Sequence, residues 1–342
     1  MTAVVSVSPT QPPTEILART RKLVEPMLRE AIAALPDPLR RMAGYHFGWW
    51  DVRGNPAPGE SGKMLRPALT VSACLACGGV PEDAVPAAVA VELIHNFTLI
   101  HDDVMDGDTL RHARPTVWTI WGIPDAVLLG DALHAVAAEL LVRAMPHGVG
   151  AQALQRLESA VIELCRGQHE DCHGQSGSGA TIADCERMEM GKTGALMGCA
   201  CALGALAAGA APATVAALDR CGRELGLAFQ FTDDLIGIWG DPLVSGKPTS
   251  DLARRKRSMP VVAALCSQTA QAAELARIYG GRDPMSPTDI ARAAELIEEA
   301  GGRNWTQRQA DRHIQAALCE LPDARTAADL IALACLVTHR NR

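Results

Sequence analysis

The stretch VELIHNFTLIHDDVMDGD, residues 91–108, decides how the rest of the chain is read. Its first ten residues are mostly apolar and its end is crowded with carboxylates. On a helix, Asp102 and Asp106 lie one turn apart on a shared face, with Asp103 flanking them. Carboxylates this close repel one another, so a counter-cation is expected. A solvated acidic helix end is the bland reading, but the apolar run makes these acids the end of a buried helix. Hard oxygen donors at this density suit Mg²⁺, which keeps several waters and bridges protein carboxylates to phosphate.

The same helical period recurs outward in both directions. It spans roughly 14–35, 63–79, 86–106, 124–145, 151–173, 181–209, 212–239, 258–279, 287–300, 305–320 and 324–338. Turn-like breaks separate these segments: CGGVPED, MPHGVGA, GAAP, YGGRDP, GGRN and LPD. No run alternates in the way a β-hairpin requires. The expected fold is therefore all-α, one domain over residues 14–342, preceded by a disordered Ser-, Thr- and Pro-rich leader at 1–13. Thr14 is the expected N-cap of the first helix, with Leu17, Leu23, Met27 and Ile32 on one side. The Gly- and Pro-dense loop GYHFGWWDVRGNPAPGESG, 44–62, is expected to pack on the body through Trp49 and Trp50.

Composition narrows the function. The 342 residues carry a net charge of -7, with 48% hydrophobic, 21% charged and 4% aromatic residues. Such a chain is not disordered. It lacks the basic face and stacking rings of a general nucleic-acid binder. Eleven cysteines without a repeating frame, and an N-terminus lacking a basic start and a long apolar run, predict reduced thiols in a cytoplasmic protein. Thr193 to Leu218 contains no charge, but it is built of Ala and Gly and broken by Pro212. A tightly packed buried helix is expected there, with no stable membrane insertion.

A second acidic cluster, FQFTDDLIGIWGD at 229–241, places Asp233 and Asp234 after another apolar helical run, with Asp241 two turns on. Cations gather as well. Lys63 and Arg66 stand at i,i+3, Arg111 follows the first acid cluster, Lys192 precedes Thr193, and Lys247 and Lys256 follow the second cluster. Acids to hold metal and cations to hold oxyanions are the reading these residues give together.

Five segments, in order, carry a resemblance: GKMLRP (62–67), HNFTLIHDDVMDGDTLRHARPT (95–116), KTGAL (192–196), FQFTDDLIGIWGDP (229–242) and GKPTSDL (246–252), followed by Lys256. From about residue 15 onward the chain resembles the trans-isoprenyl diphosphate synthases, and most of all the bacterial geranylgeranyl diphosphate synthases, which often show GYHFGWWD. The resemblance implies long helices around a central cavity, usually in a homodimer, with two acid motifs facing each other across its mouth. It implies Asp102, Asp106 and Asp233 as metal ligands, with Asp103 and Asp234 beside them, and three Mg²⁺ per active site. Arg111, Lys192, Thr193, Gln230, Lys247 and Lys256 match positions that hold the allylic diphosphate. Lys63, Arg66 and His95 match those that hold isopentenyl diphosphate. The implied reaction ionises the allylic substrate, attacks the cation with the double bond of isopentenyl diphosphate, and eliminates a proton.

Two positions depart from the family pattern. His112 stands where a second Arg contacts isopentenyl diphosphate, and an imidazole grips phosphate less firmly than a guanidinium fork. Gly237 replaces the last Asp of the second acid motif, a loss Asp241 is placed to offset in part. These departures keep two alternatives open: a terpene cyclase acting on a single allylic diphosphate, and a non-catalytic subunit of a heteromeric synthase. Phe97 and Thr98 lie five and four positions before Asp102. At about 1.5 Å per residue, Phe97 sits roughly 7.5 Å deeper along the helix. In the family a bulky residue here limits chain growth, which implies a C20 product, with C15 second.

Other clusters carry less. Cys165, His169, Cys172 and His173 share a helical face and resemble a zinc spacing, but the family's GQxxD pattern covers the same residues. Cys74 and Cys77 form a CxxC without a second pair and read as core. His101 adjoins Asp102 and is placed to orient it, whereas His134 has no partner visible in the sequence. The basic run ARRKR, 253–257, reads as a diphosphate-side loop rather than a nucleic-acid patch.

Overall fold

The structure, a computed structural model, describes residues 11–57, 59, 62–174, 180–240, 251–281, 283–323 and 325–338. The expected all-α class holds. Among the described residues the only strands are Leu110–Arg111 (β1) and Arg114–Pro115 (β2), a short antiparallel hairpin. The helices fall into two compact units. The first takes in Met1–Val161, Leu196–Gly222 and Leu321–Leu333; the second takes in Ile162–Ala195, Arg223–Glu320 and Ala334–Arg342, each as far as it is described.

In the first unit, α1 (Pro13–Ala33) buries Ile16, Thr20, Val24, Leu28 and Ile32, a stripe at strict four-residue spacing. Leu17, Leu23 and Met27 are only half-buried, so the inward face is turned from the expected one. Nor is Thr14 the N-cap. The helix starts at Pro13, whose missing N–H and fixed φ suit a first turn. The loop that follows is partly helical, with α2 at Leu39–His46. Trp50 lies flat against Gly44, where a Cβ would fall 2.1 Å from the ring, and Arg29 covers Trp49 at 4.2 Å. The loop therefore packs on the body.

Next come α3 (Leu65–Ala76), α4 (Val85–Met105), α5 (Val117–Trp121) and α6 (Ile123–Ala144). Helix α4 is buried on most faces and packs mainly against α6, which supplies Leu129, Leu133 and Leu141. Helix α7 (Gly150–Gly174) begins in this unit and ends in the second.

After α8 (Ile182–Glu189), one π-helical turn at Met190–Gly194 leads into α9 (Ala195–Ala207). The uncharged segment is a buried helix, as its Ala and Gly content predicted. A Cβ at Gly204 would sit 2.0 Å from the Thr70 carbonyl, so α9 and α3 touch backbone to side chain-free backbone. Two helices, Pro81–Met105 and Ile182–Ala207, are long and apolar enough to cross a membrane, but 83% and 89% of their apolar windows are buried within the protein. Pro212 opens α10 (Pro212–Trp239) rather than interrupting a longer helix.

The second unit continues with α11 (Met259–Leu265), α12 (Ala270–Tyr279), α13 (Pro287–Glu299) and α14 (Gly302–Cys319); α15 (Ala328–Thr338) closes the chain. The single helix expected at 258–279 is two. Gln268 takes a left-handed φ of 56°, and the Thr269 side chain caps the new helix by accepting from the Ala272 amide. Phe231, Leu227, Met259, Val262 and Ala310 form one core cluster here; Leu252, Val261, Leu275, Leu296 and Ile297 lead another.

Candidate active site

The first acid motif occupies the last turn of α4. Asp106 is the C-cap, and its amide donates to the Asp102 carbonyl at 2.8 Å, which sets the two carboxylates one turn apart as expected. Asp102 is half-buried and Asp106 exposed, whereas Asp103 is 1% exposed. Arg111 Nε and Nη2 both donate to Asp103 Oδ1, at 2.9 and 2.7 Å. Burial raises the Asp103 carboxyl above its usual range, and Arg111 opposes the shift. Asp103 Oδ2 is buried with no hydrogen-bond partner among the described residues. Asp103 thus anchors Arg111, and the hairpin turn presents both Arg111 and His112. His112 and Ala113 hold φ of 50° and 58° without a glycine. The sequence gives no Asn-Gly signal for such a turn, which is why no hairpin was expected.

A second group lies in the same unit. Arg66, in the first turn of α3, donates from Nη1 to His95 Nε2 at 3.2 Å. A guanidinium has no acceptor, so that imidazole nitrogen is unprotonated. Burial, with Arg66 and Arg111 next, holds the His95 imidazolium well below its usual range. His46 Nε2 donates to Asn96 Oδ1 at 3.0 Å, and Asn96 Nδ2 donates to Glu92 Oε1 at 3.1 Å. Burial and the cations Arg111, His112 and Arg114 lower His46 to about 3. His46, Asn96 and Glu92 were missed in the sequence. Lys63 is exposed just before α3.

Deeper along α4, Phe97 and Thr98 are both 8% exposed. The Thr98 hydroxyl donates back to the His95 carbonyl at 2.7 Å. His101 does not turn to Asp102: its Nε2 donates to the Val127 carbonyl at 3.0 Å, and His134 pairs with Glu158.

In the second unit a pocket is lined by Asp171, Glu189, Lys192, Thr193, Gln230 and Lys256, among others. The π-helical turn that carries Lys192 and Thr193 faces helix α10, where Gln230 accepts from Thr193 Oγ1 at 3.1 Å. Gln230 Nε2 in turn donates to Asp234 Oδ1 at 3.1 Å. Asp234 is 1% exposed and receives two further donors, the Met259 amide at 2.9 Å and Lys256 Nζ at 3.5 Å. Its neighbour Asp233 is half-buried. Lys192 donates to Asp171 at 2.6 Å. Burial alone would lower the Lys256 ammonium, but Asp234, Asp251 and Asp171 outweigh it and raise it. Buried Glu189 is pushed well up, first by desolvation and then by Asp234. Glu189 was missed by the sequence reading, as was the pairing of Asp171; no spacing signal marks Glu189.

Gly237 has a spatial explanation. Asp251 Oδ2 lies 2.3 Å from the place a Cβ would take, so the carboxylate of Asp251 fills the volume beside the glycine. Asp241, the compensating acid expected from the sequence, and Lys247 lie outside the described residues. From the basic run, Lys256 and Arg257 line the pocket and Arg255 donates to the Asp283 carbonyl at 2.9 Å. Cys165, His169, Cys172 and His173 do not form a zinc site: among the described residues no group of three His, Cys, Asp or Glu side chains converges on a metal position. The acid motifs offer hard carboxylate oxygens, donors of the kind that suits Mg²⁺, an ion that also relies on waters and substrate oxygens.

Comparison with known proteins settles the family. A family model described as Polyprenyl synthetase matches residues 57–297. The chain belongs to the polyprenyl synthetase family. It is 53% identical over 327 residues to a geranylgeranyl diphosphate synthase of Mycobacterium tuberculosis, covering 95% of this chain and 93% of that one. It is 42% identical over 335 residues to a (2E,6E)-farnesyl diphosphate synthase of Mycobacterium bovis, covering 95% and 93%. A polyprenyl synthetase structure from Streptomyces coelicolor A3(2) superposes with a TM-score of 0.90 at 44% identity, covering 95% and 99%. These findings bear out the resemblance and the fold it implied, and they make the protein a prenyl-transferring enzyme by family.

Proposed function

We propose that this protein condenses isopentenyl diphosphate with an allylic diphosphate and yields geranylgeranyl diphosphate, C20, as its main product. One observation carries the reading over a cyclase. Two separate oxyanion-holding groups stand in a chain of net charge -7: the Arg66 guanidinium with neutral His95 in the first unit, and Lys192 with Lys256 in the second. A condensing enzyme needs two oxyanion holders, and a cyclase needs one. The identity to a geranylgeranyl diphosphate synthase supports C20.

In this proposal each residue has a part. Lys192, Lys256, Thr193 and Gln230 hold the allylic diphosphate, and Lys247 joins them by its motif. Asp171 and Asp234 keep the two lysines charged and aimed. Lys63, Arg66 and neutral His95 hold isopentenyl diphosphate, with His112 beside them. Asp102, Asp106 and Asp233 hold Mg²⁺, three ions per site, which when bound neutralises the charge that develops on the leaving diphosphate. Asp103 fixes Arg111 against that charge. Apolar helix faces keep water from the cation. Phe97 and Thr98 end the space for the growing chain.

We infer a homodimer, supported by the exposed Ile123, Val127, Leu128 and Val142 along α6. The reading also places the protein in the cytoplasm, which the eleven free cysteines suit. The test supplies isopentenyl diphosphate, each allylic diphosphate and Mg²⁺, with products analysed before and after phosphatase. Longer prenyl alcohols seen only after phosphatase are expected. Cyclic hydrocarbons from one allylic substrate overturn condensation in favour of cyclisation. No product until a partner chain is added overturns it in favour of the subunit role.

A further inference from the structure

Phe97 does not stand alone. Its ring is stacked on the imidazole of His134, with centroids 5.5 Å apart and planes 10° apart. It also meets the His101 ring edge-on, at 4.9 Å and 82°. Three rings therefore form a row along α4 and α6, and both ends of the row are tied. At one end, His101 Nε2 donates to the Val127 carbonyl of α6. Gly130 makes room there, since a Cβ would lie 2.2 Å from that nitrogen. At the other end, His134 Nε2 lies 2.9 and 3.0 Å from the two carboxylate oxygens of Glu158 in α7. A nitrogen facing two carboxylate oxygens carries the proton, so Nε2–H donates to Glu158.

We propose that Phe97 and His134 act as one stop for the growing prenyl chain, and that Glu158 is the positioning residue that keeps the stop rigid. The proposal rests on the reading above, that Phe97 ends the space for the chain. A lone phenylalanine on a helix swings about two side-chain torsions and yields to a pressing hydrocarbon. A ring in an offset stack on a second ring, itself held by a carboxylate, has less room to swing. Ordinary core packing does not call for this arrangement. A leucine at 134 fills space equally well, whereas an imidazole with its own acceptor adds a fixed direction. The side chains of His134 and Glu158 are 32% and 36% exposed, outside the fully buried core.

The experiment compares product-length ratios made from isopentenyl and farnesyl diphosphates with Mg²⁺. The ratio does not depend on how much of a variant folds, so traces of product suffice. His134→Ala is expected to raise the proportion of products beyond the parent's main length by roughly tenfold, the low end of what one steric feature gives. Glu158→Ala moves the ratio the same way by less. Glu158→Gln keeps the parent ratio, because its amide oxygen still accepts from Nε2–H, and His134→Phe keeps it by restoring the stack. Unchanged ratios in His134→Ala and Glu158→Ala, with lengthening in Phe97→Ala, overturn the inference and leave the reading of Phe97 standing. An unchanged ratio in Phe97→Ala as well overturns both.

Discussion

Replacing Asp234 by alanine should unfold this protein more readily than its place in an acid motif implies. The carboxylate is 1% exposed and holds three donors: Gln230 Nε2, Lys256 Nζ and the Met259 amide. The Met259 amide starts α11 and has no other route to water, so leaving it unpaired costs about 1–3 kcal/mol. Lys256 keeps Asp251 at 3.9 Å and its side chain is 30% exposed, so losing Asp234 costs it about 1–2 kcal/mol, well below the figure for a sealed pair. The expected loss is about 2–5 kcal/mol, a large share of the roughly 5–15 kcal/mol that holds a folded chain together. Asp234→Asn keeps an oxygen for the amide and loses only the charge, so its cost should stay near 1–2 kcal/mol. Denaturant unfolding followed by two probes measures both. An alanine variant within about 1 kcal/mol of the parent refutes the anchoring role. So does an asparagine variant as damaged as the alanine one. Metal binding separates the neighbours: Asp233→Asn should weaken Mn²⁺ binding by calorimetry, and Asp234→Asn should leave it near the parent value.

Three more outcomes follow from the geometry. Gly237→Ala gains about 1 kcal/mol of helix propensity but drives a Cβ into Asp251, an overpacking worth about 1–3 kcal/mol; unfolding should show a net loss of up to about 2 kcal/mol, and a clear gain would contradict the close approach. His46 is neutral in the fold and lowered to about 3, while its unfolded form takes a proton below about 6.5. The unfolded state therefore binds more protons in that window, and stability falls as pH drops from about 6.5 towards 3, by up to about 1.4 kcal/mol per unit. His46→Gln should flatten that slope in pH-dependent unfolding, and an unaltered slope counts against the assignment. Asp103→Asn frees Arg111 from its buried carboxylate; turnover should drop at saturating substrate with little change in KM, and a pure KM effect would argue that Arg111 only binds.

Much of this was legible in the residues. The 3.6-residue period located nearly every helix, α10 to the residue, because long apolar faces must be buried. Lys192, Thr193, Gln230 and Lys256 were found by motif and do line one pocket. What escaped has a common cause. Glu189, His46 and Glu158 act through partners far away in sequence, and single-chain spacing carries no trace of such pairs. The break inside 258–279 turned on one left-handed residue, Gln268, of a type that rarely marks a turn. The vacancy at Gly237 looked like a lost ligand until Asp251 was seen occupying its place.

The weaving of the chain has a bearing on biosynthesis. The first unit starts with α1, leaves at Val161, and is not complete until Leu333 has been made. Its closing segment brings the buried Leu330 and Leu333, and Asp329, which takes an ion pair from Arg19. A nascent chain on the ribosome must therefore wait until residues 321–333 have been made before α1 can find these neighbours. A stop near 320 would strip the first unit of this segment, and neither unit can be expressed as a simple contiguous fragment.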